Sequence, residues 1–110
     1  MSDAAIHLED DALAGFIEKH KDKLVMIDFF ATWCGPCQMT APIIEELARQ
    51  YKDKVAVAKI DVDLAPNSVN EYGIMSMPTI VIFKDGVEVE RASGFLGKNG
   101  FENLITKNLK

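Results

Sequence analysis

Leu24-Val25-Met26-Ile27-Asp28-Phe29-Phe30-Ala31-Thr32-Trp33-Cys34-Gly35-Pro36-Cys37 is the stretch that decides the fold of this 110-residue chain. Its first eight residues are apolar at both alternating positions except for Asp28, a pattern that needs cover on both faces and predicts a central strand. From Cys37 onward Met39, Ile43, Leu47 and Tyr51 recur every four residues, with Ile44 and Ala48 beside them, which predicts a long helix. Pro42 lies inside that helix. It has no N–H for the Gln38 carbonyl and its ring crowds that oxygen, so a kink is expected. The two cysteines thus stand where a buried strand hands over to a helix N-terminus.

Working outward, residues 5–8 read as a short edge strand. Asp10 or Asp11 is placed to cap a helix whose Leu13, Phe16, Ile17 and His20 share one face. Residues 55–62 read as a second buried strand and 67–72 as a short helix. After Pro78, residues 79–83 form a third apolar strand, and Asp85-Gly86 marks a tight hairpin into residues 87–90, whose alternation predicts an edge strand with one wet face. A last helix carries Phe101, Leu104, Ile105 and Leu109 on one side. The order βαβαβαββα means an α/β fold with helices on both faces of the sheet.

The chain has the size of one domain, expected to span residues 1–110, with no repeat or linker. Hydrophobic residues make up 48% and charged residues 26%, which fits a folded soluble protein. The net charge of −5 argues against a nucleic-acid binder, which needs clustered cations to displace phosphate counterions. The acidic N-terminus lacks the features of a signal or transit peptide, and the longest apolar run is too short to span a bilayer. A cytoplasmic location with no membrane partner is the expectation, and the protein is expected to be a monomer.

Two cysteines in all, three positions apart, exclude a disulfide-framework scaffold. Residues so spaced in the first turn of a helix have Cα atoms roughly 5 Å apart, within reach of a disulfide. As a staple the bridge is weak, since the loop-entropy relation gives a four-residue loop only about 2 kcal/mol. A zinc site needs about four ligands, and His7 and His20 lie on elements that are not expected to converge. Haem attachment needs a His directly after the second Cys, where Gln38 stands. Redox chemistry fits better. The unpaired N–H groups and positive dipole end of the helix stabilise a thiolate at Cys34, making it the nucleophile, and Cys37 then resolves the mixed disulfide.

Phe29-Phe30-Ala31-Thr32-Trp33-Cys34-Gly35-Pro36-Cys37 resembles the active-site signature of the thioredoxin family, and length and element order are similar along the whole chain. Asp28, Pro42, Lys59, Met77-Pro78-Thr79, Gly86 and Gly94 add to the resemblance. It implies a thioredoxin fold, a central mixed five-stranded sheet flanked by four helices. It also implies a general protein-disulfide reductase, recharged by a thioredoxin reductase and acting on disulfide-containing client proteins. The redox centre would be a reversible Cys34–Cys37 disulfide tuned by Gly35 and Pro36, with no bound cofactor and no metal.

By the same resemblance Asp28 lies behind Cys37 and accepts its proton, and Lys59 modulates Asp28. From the residues alone, a buried carboxylate satisfied by local hydrogen bonds and a snorkelling lysine remain open. The family also implies a cis bond before Pro78, where sequence alone favours trans. Met77 would then pair with an incoming peptide as an added strand, in a shallow groove lined by Trp33, Gly35, Pro36, Gly73, Ile74 and Gly94. Met75, Met77 and Phe95 depart from the usual family residues; an adaptable apolar groove is one reading and ordinary surface drift the other. Two rival functions stay open: a disulfide oxidase or isomerase on the same fold, and a binding module whose thiols do not matter. Gly35-Pro36 resembles the reducing members.

Overall fold

The computed structural model describes residues 4–110. Five strands, β1 (Ile6–Leu8), β2 (Leu24–Phe30), β3 (Val55–Asp61), β4 (Thr79–Lys84) and β5 (Val87–Ser93), form one sheet in the order β1-β3-β2-β4-β5. β1 and β2 run parallel to β3, whereas β4 runs antiparallel to both β2 and β5, so the sheet is mixed. Helices α1 (Leu13–Lys19), α2 (Gly35–Gln50), α3 (Pro66–Tyr72) and α4 (Gly97–Asn108) complete the mixed five-stranded, four-helix fold that the family resemblance implied.

The doubly apolar pattern of β2 has its explanation in two separate cores. Val25, Ile27 and Phe29 point into one, with Leu13, Phe16 and Ile17 of α1 and, from α3, Val69 and Tyr72. Leu24 and Met26 point into the other, with Ile44, Leu47 and Ala48 of α2 and Phe101, Leu104 and Ile105 of α4. Asp28 follows Met26 by two and therefore lies on the α2/α4 side. Both layers exclude water, and at roughly 25 cal/mol per Å² their burial supplies most of the drive to fold.

Three local features differ from expectation. Neither Asp10 nor Asp11 caps α1, which starts after a 3₁₀ turn at Asp10–Ala12 and has no side-chain cap. Asp10 instead accepts hydrogen bonds from the backbone N–H groups of Asn67 (3.1 Å) and Ser68 (2.8 Å), so it caps α3, distant in sequence. β5 continues past Glu90 to Ser93, because the far end of β4 needs a partner and Thr79 pairs with Ser93. Its alternation does not mark a buried face either. A register shift at Ile82/Phe83 leaves Val89 as an extra residue, and Val87 and Val89 are exposed. The hairpin before it is the expected Asp-Gly turn, with positive φ at Asp85 (55°) and Gly86 (81°).

Candidate active site

β2 ends at Phe30, and the chain passes through Ala31 to Trp33 before α2 begins at Gly35, with Pro36 next to it. Cys34 is the N-cap of this helix. Its extended backbone (φ −91°, ψ 118°) turns Sγ toward the open end, where it accepts a hydrogen bond from the Cys37 N–H at 3.1 Å. Pro36 suits the first turn because it has no N–H to leave unpaired there. Cys34 and Cys37 are joined as a disulfide with Cα atoms 5.2 Å apart, and helix geometry accommodates the bridge without disturbing α2. The helix continues through Pro42, and the Thr40 hydroxyl donates to the Pro36 carbonyl.

The two cysteines are almost equally buried, 6% and 4% exposed, so accessibility does not separate them. Position does. Cys34 Sγ faces an orphan helix N–H and lies 3.5 Å from the Met77 carbonyl oxygen, whereas Cys37 is held within the first turn. Both pack with Ala31 against Phe30, Val62 and Met77 in a small cluster of their own.

Three loops meet around this cluster. The Met77–Pro78 peptide bond is cis, and Pro78 is buried. The Pro78 carbonyl accepts from the Gly94 N–H at 2.8 Å, which joins the loop before β4 to the loop after β5. Gly73 ends α3 in the left-handed region (φ 61°) and Gly94 adopts φ 90°, conformations that a side chain would strain. Trp33 is 66% exposed and its indole N–H donates to Asp63 at 2.8 Å, which fixes a large apolar ring at the surface. Met75 is 93% exposed and Phe95 also reaches solvent. The Ile74 side chain is buried in the α1/α3 core. A cleft of about 410 Å³, its lining including Lys21, Asp22, Lys23, Asp53, Lys54 and Lys84, lies at the opposite end of the sheet from the cysteines.

Beneath α2 the sheet carries a polar row. Register pairs His7 of β1 with Lys59 of β3 and Lys59 with Asp28 of β2, while Ile80 stands on the other side of Asp28. Asp28 is 3% exposed, and among the described residues no hydrogen bond reaches its Oδ1. Its carboxyl is pushed up to about 7, chiefly by burial, with the Lys59 charge opposing the rise and the Glu45 charge adding to it. Lys59 Nζ lies 3.1 Å from Glu45 Oε2. The strand pairing therefore places Lys59 directly across from Asp28.

Glu45 and Asp63 escaped that reading. Glu45 sits three residues before buried Ala48, at the margin of the apolar stripe of α2, where an acid is out of place; that was the available signal. Asp63 lies in a 3₁₀ turn after β3 whose approach to Trp33 no spacing reveals. Among the described residues no group of three or more His, Cys, Asp or Glu side chains is arranged to hold a metal ion.

Comparison with known proteins agrees with this geometry. The model of the family described as Thioredoxin matches residues 4–107. Proteins named thioredoxin from Staphylococcus aureus strains Mu50, MW2 and NCTC 8325 are each 43% identical over 96 residues, covering 87% of this chain and 92% of theirs. A cysteine pair at disulfide distance on this fold is a redox centre in its own right, formed and broken by thiol–disulfide exchange.

Proposed function

The chain belongs to the thioredoxin family and is a thiol–disulfide oxidoreductase, and from that premise we propose that it works as a general protein-disulfide reductase. The observation that carries the reading is Cys34 as N-cap, with Sγ on a helix N–H. The Cys34 thiolate attacks one sulfur of a client disulfide and expels the other as a thiolate. Cys37 then attacks Cys34, releasing the second client thiol and closing the protein disulfide. Two electrons pass to the client, and a thioredoxin reductase returns them.

The second step is intramolecular, so its effective molarity far exceeds that of a free thiol. Asp28 accepts the Cys37 proton, and a carboxyl titrating at about 7 is suited to trade protons with a thiol near neutral pH. Lys59 adjusts that affinity. Gly35 and Pro36 shape the turn that sets the redox balance. Trp33, Gly73, Met77, Pro78 and Gly94 form the docking face, and the backbone beside cis-Pro78 pairs with an extended client segment, giving affinity with little side-chain selectivity. Residues 1–110 act as one domain and one monomer, placed in the cytoplasm. No described helix is long and apolar enough to cross a membrane.

Insulin reduction coupled to NADPH through a thioredoxin reductase tests the reading. Cys34→Ser should abolish turnover, and Cys37→Ser should accumulate a covalent mixed disulfide with the client. Equilibration with glutathione should give a strongly reducing potential; a value at the oxidising end of the family range would replace reductase by oxidase.

A further inference from the structure

Glu45 has no part in the chemistry above, yet it is the residue of α2 that reaches the polar row under the helix. Its Oε2 holds the Lys59 ammonium at 3.1 Å, with both side chains largely out of solvent. Its Oε1 accepts from the backbone N–H groups of Ala4 (2.7 Å) and Ala5 (3.0 Å), just before β1. Lys59 stands directly across from Asp28 in the β2–β3 register. Glu45 and Asp28 are therefore both set against the Lys59 ammonium, and the Glu45 charge opposes ionisation of Asp28 in this poorly solvated place.

We propose that Glu45 is a positioning residue for thiol–disulfide exchange: by engaging Lys59 it keeps Asp28 basic enough to take a thiol proton, and its two backbone hydrogen bonds tie that setting to the chain entering β1. Without the Glu45 charge the pull of Lys59 on Asp28 would be less opposed, and Asp28 would be a weaker base. The direction in which Glu45 moves the Asp28 carboxyl, upward and with burial, agrees. Among the described residues, other titratable groups on this side of the sheet include His7 of β1, Asp61 of β3, Glu90 of β5, which pairs with Lys107, the two cysteines and Tyr51 of α2, and Glu102 of α4, which accepts from the Tyr51 hydroxyl. β4 offers Ile80 and Ile82, and α4 faces this layer with Phe101, Leu104 and Ile105.

The inference rests on Asp28 as proton acceptor, and the experiment separates the two. In the full-length protein, the Asp28 carboxyl is titrated by carbon NMR alongside the pH profile of client reduction, in the parent, Glu45→Gln, Glu45→Asp and Asp28→Asn. Glu45→Gln keeps an oxygen for the Ala4 and Ala5 N–H groups but removes the charge. It should lower the Asp28 midpoint by about one pH unit, the ordinary scale of such environmental shifts, and carry the lower limb of the rate profile with it. Glu45→Asp, which restores the charge, should return both toward the parent. The titration is read on folded molecules, so a loss of stability cannot imitate it. An unmoved Asp28 midpoint in Glu45→Gln, or equal shifts in Glu45→Gln and Glu45→Asp, would overturn the role of Glu45. A rate profile unchanged in Asp28→Asn would remove the proton-acceptor role itself, and with it the catalytic sense of Glu45.

Discussion

Ile27 and Asp28 are neighbours on β2, both buried, and they face opposite layers of the molecule. Ile27 enters the α1/α3 core, where β2 contributes only apolar side chains. Asp28 enters the α2/α4 side, where Lys59 and Glu45 follow it into a layer otherwise made of Met26, Ile80, Ile82 and the apolar faces of two helices. One layer stabilises the strand. The other accepts a destabilising carboxylate in the layer beneath the cysteine-bearing helix. Apolar packing and buried charge are divided here by the two-residue period of a strand rather than by separate regions of the chain.

Substitutions on the two sides should therefore differ in sign and in pH dependence. The largest effect is expected from Ile27→Ala, which leaves a cavity in the apolar layer and should cost about 4 kcal/mol in urea unfolding, equally at pH 5 and pH 8. A cost that varied strongly with pH would show that the layers are not electrostatically separate.

Asp28→Asn should act in the opposite direction. In the folded protein Asp28 keeps its proton up to about pH 7, whereas the unfolded chain releases it near the ordinary carboxylate value of 3.8. The unfolded state therefore binds fewer protons between those limits, and stability falls as pH rises through that window. The neutral amide escapes this loss. Asp28→Asn should match the parent below pH 4 and exceed it by a comparable amount, about 4 kcal/mol, at pH 8, a difference that denaturant titrations at both pH values would read. A gain of equal size at both pH values would place its origin in packing rather than charge.

The smallest effect belongs to Asp10→Ala. It removes the two hydrogen bonds that cap α3 over the apolar layer and should lower the melting temperature by a few degrees, with client reduction unchanged. A loss of reduction would show that α3 and the Gly73 turn steer the docking face.

Much of this organisation was legible in the chain. β2 announced a doubly covered strand, Cys34 and Cys37 stood at a helix start because a strand run ended and a four-residue period began, and Asp85-Gly86 marked its turn. Illegible features depended on register or on contacts distant in sequence. Asp10 looked like the cap of the nearest helix, yet a carboxylate caps whichever N–H groups reach it, and those were 57 and 58 residues away. Ile74, alone between Gly73 and Met75, had no period to say which way it pointed; the core took it. Glu45 acquired its meaning from the pairing of β2 with β3, which no helical period contains.

The bulged edge formed by β5 has a consequence of another kind. A protein that meets loosely folded chains risks being recruited by them, since an open strand edge offers a ready template for backbone pairing. β5 carries Glu88 paired with Arg91 and Glu90 paired with Lys107, and Val89 interrupts its ladder. The rim is charged and irregular, which is poor ground for a second strand to zip along. On the docking mode proposed above, an extended client segment beside the cysteines would thus find little to pair with along the exposed margin of the sheet.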